Sequence, residues 1–119
     1  MNGSNRRRRE ESTATLDDDL AEIVRRLVAA YRPLRIYLFG SRARGEDDPD
    51  SDYDLMVVVP DAAPPEQRRS RTAYEALRGT GTAADVLVWT REAFDSRLGL
   101  RASLPATIAR EGRILYAAG

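Results

Sequence analysis

The sequence predicts one small α/β or α+β domain in which a small mixed sheet is flanked by helices. Three observations carry that expectation. Apolar residues recur at three- and four-residue steps between Leu16 and Tyr31. Short β-branched runs follow at intervals, each stopped by glycine or proline. The segments between those runs are rich in helix formers. A length of 119 residues with 42% apolar and 32% charged residues suits a single folded core.

Leu16, Leu20, Ile23, Val24, Leu27, Val28 and Tyr31 form one apolar stripe on a helix that opens with Asp17 to Asp19 and is stopped by Pro33. Ile36 to Phe39 reads as a short buried strand ended by Gly40, with a turn into a short helix at Ser41. Leu55 to Val59, closed by Pro60, reads as a central strand buried on both faces and beginning near Asp52. After Pro64 and Pro65 a rather exposed helix is expected over Glu66 to Arg78, stopped by the Gly79 to Gly81 turn. Val86 to Trp89 is a third strand. Thr90 caps a helix through Leu98, Ser103 with Pro105 starts a last helix ending at Gly112, and Ile114 to Tyr116 adds a final strand. Residues 16–119 form the predicted domain. Residues 1–15, with Arg6 to Arg9 and almost nothing apolar, read as a disordered arm whose arginines suit a solvated tail better than a nucleic-acid contact.

Three absences narrow the chemistry. Without cysteine there is no thiolate nucleophile or Cys-based zinc site, and without histidine there is no Ser-His-Asp triad. Every basic residue is arginine, so the lysine of a Walker A loop is missing. Carboxylates must therefore carry any acid-base or metal work. The formal net charge of zero argues against nucleic acid as the primary partner. No run approaches the ~20 apolar residues of a membrane span, and a cytoplasmic protein is expected.

The segment that carries chemistry is Leu38-Phe39-Gly40-Ser41-Arg42-Ala43-Arg44-Gly45, followed by Ser51-Asp52-Tyr53-Asp54-Leu55. Alone, a glycine-serine turn is an ordinary turn and two nearby aspartates are an ordinary surface. Together they read differently. Side chains alternate along a strand, so Asp52 and Asp54 point one way and Tyr53 and Leu55 the other. At roughly 5 to 6 Å, two like charges in an effective dielectric of about 20 repel by about 3 kcal/mol, an arrangement that calls for a cation or a proton. Oxygen ligands favour Mg²⁺, which leaves coordination places for triphosphate oxygens. Gly40 lets the backbone approach a ligand closely, and the amides after it, with the Ser41 hydroxyl, face an anion. Arg44 falls one helical turn after Ser41, where its guanidinium reaches phosphate oxygens, while Arg42 points elsewhere. Asp85, opening the third strand, would be a polar strand end on its own. Beside a metal pair it becomes a candidate ligand for a second ion and a group near the attacking hydroxyl.

Gly40-Ser41, ten intervening residues and Asp52-Tyr53-Asp54 resemble the signature of the DNA polymerase β-like nucleotidyltransferase superfamily. With Ile108-Ala109-Arg110-Glu111-Gly112 and Leu115-Tyr116, the chain is similar to its smallest branch, the minimal nucleotidyltransferases or MNT proteins, over about Leu20 to Tyr116. The resemblance implies the polymerase β-like fold and a Mg²⁺-dependent transfer of AMP from ATP. In that reading Ser41 and Arg44 hold the triphosphate, Asp52 and Asp54 bind two Mg²⁺ ions, and Asp85 completes one metal site and helps activate the acceptor. It further implies an antitoxin that adds AMP to a tyrosine of a HEPN-domain ribonuclease toxin. Larger relatives hold the acceptor with extra helical regions for which this chain has no room. A separate protein as acceptor therefore fits. Two other readings stay open: a non-catalytic antitoxin that blocks its toxin by binding, and a nucleotidyltransferase that acts on a small molecule with a partner subunit. Three clustered carboxylates favour catalysis, since a scaffold gains nothing from their repulsion.

Overall fold

The computed structural model describes residues 18–43 and 52–118. The predicted arm lies outside the described residues. The first helix, α1, runs through residues 18–31. Its stripe behaves as the spacing requires: Ile23, Leu27 and Tyr31, four residues apart, are fully buried, with Leu20, Val24 and Val28 packed beside them. Arg32 then adopts the left-handed conformation, φ +48°, with its N–H bonded back to the Val28 carbonyl at 2.8 Å. Proline at the next position disfavours further helix.

The strands β1 (Arg35–Phe39), β2 (Tyr53–Val59), β3 (Ala84–Thr90) and β4 (Arg113–Ala117) form a sheet in the order β3-β2-β1-β4. β1 is antiparallel to both β2 and β4, whereas β2 and β3 are parallel. The sheet is therefore mixed. β2 is interior and its apolar run is buried on both faces. Leu55, Val57 and Val59 face a core with Ile23, Leu27 and Tyr31 of α1 and with Ala73 and Leu77 of the crossover. Met56 and Val58 face a second core with Phe94 and Ile108. Helices thus cover both faces of the sheet. No helix among the described residues is long and apolar enough to cross a membrane.

The crossover from β2 to β3 departs from the predicted single helix over Glu66 to Arg78. A 3₁₀ turn, Pro65–Arg68, is followed by Arg69 in extended conformation (φ −105°, ψ 137°), and only then by α2, Ser70–Ala76. Tertiary contacts override local propensity here. The Arg68 Nε donates to the Ala63 carbonyl at 2.7 Å, the Thr72 hydroxyl donates to the Glu66 carbonyl at 2.7 Å, and the buried Tyr31 hydroxyl donates to the Arg69 carbonyl. Burial pushes the Tyr31 phenol up to about 12. Tyr31→Phe deletes that donor and leaves the apolar packing intact. It is expected to cost about 1 kcal/mol in a urea melt, the usual net worth of one hydrogen bond. No change would show that the break at Arg69 does not depend on this contact.

The helix expected from Thr90 through Leu98 is shorter. Thr90 caps it as predicted, its hydroxyl accepting from the Ala93 N–H at 3.2 Å, but α3 spans Arg91–Asp95. Beyond it Arg97, Leu98 and Leu100 bond to carbonyls three residues back, the tighter spacing of successive turns. The last helix, α4 (Leu104–Glu111), has the predicted caps, with Ser103 accepting from the Ala106 N–H and Gly112 at the end.

Candidate active site

The topology brings three parts of the chain to one end of the sheet. β1 and β2 are antiparallel, so the C-terminal end of β1 and the start of β2 coincide, with Phe39 opposite Asp54. β3 runs parallel to β2 and opens at the same end, with Asp54 opposite Asp85. Gly40, Asp54 and Asp85 therefore share one rim although the sequence separates the last two by a whole crossover.

Alternation then sets the facing of the side chains. Tyr53 is buried on the α1 side of the sheet, so Asp54 turns to the other face together with Met56 and Val58. Val86 is likewise buried on the α1 side, which turns Asp85 to the face of Asp54. Carboxylates facing each other across adjacent strands repel. The consequence is visible at Asp54, whose carboxyl is held above its ordinary value, first by burial and then by the charges of Asp85 and Asp52. Asp52 is exposed just before the first strand residue and acts on Asp54 through space.

Gly40 fits against this group. Its φ of +78° is a conformation that favours glycine, and a Cβ placed there would stand 2.3 Å from Asp54 Oδ2 and 3.2 Å from its Cγ. Ser41 follows in a turn through Ala43. The short helix expected from Ser41 is not seen among the described residues, and Arg44 lies outside them. The Arg42 guanidinium lies over the Tyr53 ring, 4.3 Å from its centroid, a cation–π placement.

One neighbour of the carboxylates carries no signal in the sequence. Tyr74 of α2, 53% exposed, donates its hydroxyl to Asp85 Oδ1 at 3.3 Å. Desolvation, followed by the charge of Asp85, raises its phenol. Only the rotation of α2 against β3 creates this contact, and no spacing rule anticipates it.

Among the described residues no three carboxylates are gathered tightly enough to grip an ion unaided. The donor set nevertheless suits one. It consists of oxygens alone, it is electrostatically strained at Asp54, and the space beside Oδ2 is one that a Cβ at Gly40 would fill. A hard divalent cation that takes few protein ligands and keeps room for phosphate oxygens matches these features. A groove of about 580 Å³ between α1 and β4, lined by Leu20, Val24, Val28 and Leu115 with Arg25 and Arg113 at its edge, holds no carboxylate and is a separate feature.

Comparison with known proteins agrees with the fold. The nucleotidyltransferase domain family matches residues 18–115. No curated protein sequence matches the chain. Among solved structures, a candidate nucleotidyltransferase from Sulfolobus solfataricus superposes with a TM-score of 0.58 at 22% identity, over 90% of this chain and 85% of that one. A toxin–antitoxin complex with AMP-PNP gives a TM-score of 0.52 at 21% identity, over 81% of this chain and 72% of the other. A mutant of the toxin–antitoxin pair MntA–HpeT gives 0.50 at 19% identity, over 80% and 71%. These likenesses show a shared fold, and the family match covers the helix, the Gly40-Ser41 turn and all three rim aspartates. The chain belongs to the nucleotidyltransferase domain family.

Proposed function

We propose that the chain is a Mg²⁺-dependent nucleotidyltransferase that moves AMP from ATP to a hydroxyl of a partner protein, a tyrosine of a HEPN ribonuclease toxin, and so acts as an antitoxin in the cytoplasm. The observation that carries this reading is the juxtaposition of Asp54 and Asp85 on neighbouring strands beside the Gly40-Ser41 turn. Likeness in fold to two toxin–antitoxin complexes, one with AMP-PNP, supports the choice of partner and nucleotide.

Asp52, Asp54 and Asp85 would hold Mg²⁺, two ions being the expected number. Bound there, the metal neutralises charge on the phosphates and orients them. The backbone after Gly40 and the Ser41 hydroxyl bind the triphosphate, and Arg44 pairs with its oxygens. The acceptor oxygen attacks the α-phosphorus as the bond to the β-phosphate bridge breaks, releasing pyrophosphate, and Asp85 takes the acceptor proton. Docking of a partner protein supplies the positioning of the acceptor oxygen.

Arg44→Ala is expected to weaken ATP binding by about 1.5 to 3 kcal/mol, the worth of a charge-assisted contact. Arg42→Ala should do less, because the Arg42 guanidinium is engaged on the Tyr53 ring. Equal losses in calorimetry would refute the assignment of Arg44.

The reading is tested by intact mass spectrometry of a HEPN toxin incubated with the chain, ATP and Mg²⁺. A gain of one AMP or a multiple is expected, with Asp85→Asn abolishing it while the complex still forms. Suppression of toxicity by wild type and Asp85→Asn alike, with no change in toxin mass, would instead establish a binding antitoxin.

A further inference from the structure

We propose that Tyr74 is itself an acceptor, so that the chain, presented with ATP and no partner, transfers one AMP to its own Tyr74. The inference rests on the catalytic reading above and extends it to a modification site within the chain.

The five tyrosines separate sharply. Tyr31 and Tyr53 are buried, Tyr37 is stacked on Phe94 with ring centroids 5.3 Å apart, and Tyr116 lines the groove against α1. Tyr74 alone is exposed, and its hydroxyl reaches Asp85, the carboxylate assigned to the acceptor proton. The order of the strands gives that contact its direction. The Gly40-Ser41 turn follows β1, Asp54 is on β2 and Asp85 on the edge strand β3, and the Tyr74 hydroxyl meets the rim at Asp85. The phenol thus meets the rim at its β3 end, with Asp54 on the strand between Asp85 and the turn that would hold the triphosphate. An entering oxygen and a leaving pyrophosphate must approach the α-phosphorus from opposite sides.

The fold has no other evident use for this hydroxyl. The core residues of its segment are Ala73 and Leu77, and Tyr74 packs into neither apolar cluster. In the step proposed, Tyr74 Oη forms a bond to the α-phosphorus of ATP. The bond from that phosphorus to the bridging oxygen breaks, pyrophosphate leaves, and the phenol proton passes to Asp85 Oδ1 and on to water. The product is a tyrosyl-AMP phosphodiester. The addition stops at one, because the phosphodiester leaves Tyr74 without a free hydroxyl.

The test uses the full chain alone with ATP and Mg²⁺, read by intact mass, peptide mapping and pyrophosphate release. A gain of one AMP mapped to Tyr74 is expected, absent in Tyr74→Phe and Asp85→Asn and retained in Tyr116→Phe. Label on another residue overturns the proposal. So does pyrophosphate release with the mass of the chain unchanged, which identifies water as the acceptor and leaves nucleotidyl transfer standing. An unlabelled chain that still adds AMP to a HEPN toxin in a parallel reaction overturns the self-acceptor alone. If neither protein gains AMP, the proposal and the reading beneath it fall together.

Discussion

Gly40→Ala is expected to lower nucleotidyl transfer by about 100-fold or more, out of proportion to the size of a methyl group. Two effects act together. An L-residue at φ +78° costs roughly 1 to 2 kcal/mol. The added Cβ would also meet Asp54 Oδ2 at 2.3 Å, far inside van der Waals contact, so that either the turn or the carboxylate must move. A misplacement of about 1 Å in a reacting constellation costs about 100-fold in rate. Gly79→Ala provides the control. Gly79 has a similar φ of +87°, but a Cβ added there would meet nothing within 4 Å, so the backbone strain arises without the collision. Thermal melts should show destabilisation in both variants, larger in Gly40→Ala where the collision adds to the strain, while AMP transfer falls only in Gly40→Ala. Equal activities would show that Gly40 serves the turn and not the site.

Asp54→Asn is expected to abolish metal-dependent transfer and at the same time to stabilise the metal-free protein at neutral pH. Changes to groups that only support metal ligands already cost about 10- to 100-fold, so loss of a ligand should exceed that. The stability effect follows from the sign of the shift. Burial and the charges of Asp85 and Asp52 raise the folded-state value of Asp54 above its ordinary 3.8. The folded state then binds the proton more tightly than the unfolded state. Stability from this group is fully present below 3.8 and is lost as pH rises through the raised folded value. Urea midpoints in EDTA should therefore favour Asp54→Asn over wild type by a margin that opens as pH rises through that window. Mg²⁺ should raise the midpoint of wild type and leave that of the variant unchanged. A margin that does not vary with pH would contradict the electrostatic origin of the strain at the rim.

The parts of the fold that the sequence made legible are those set by short-range regularities. The stripe from Leu20 to Tyr31 could pack in only one way on a helix, and the run from Leu55 to Val59 could be buried on both faces only inside a sheet. Capping by Thr90 and Ser103 likewise needed only local chemistry. The break at Arg69 was not legible, because one of the contacts around it comes from Tyr31, thirty-eight residues earlier in the chain. The short α3 was missed for a different reason: helix formers continue past Asp95, but the chain tightens into turns before Gly99.

The site divides along the same line. Asp52 and Asp54 are two positions apart, just before and at the start of β2, and their nearness needs no tertiary information. The pairing of Asp54 with Asp85 requires the parallel crossover, which the sequence suggested through its strand–helix–strand order but could not set in register. Tyr74 required more still, the rotation of a seven-residue helix against an edge strand. Its nearness to Asp85 is a property of the folded chain with no counterpart in spacing.

The rim is tested most directly by calorimetric titration of the chain with a nonhydrolysable ATP analogue in Mg²⁺ and again in EDTA. Wild type should bind in Mg²⁺ and lose that binding in EDTA, and Asp52→Asn combined with Asp54→Asn should show no binding dependent on Mg²⁺. Binding that is absent in Mg²⁺, or that is indifferent to EDTA and to the loss of both aspartates, would contradict the assignment of the Gly40, Asp54 and Asp85 rim as a nucleotide site.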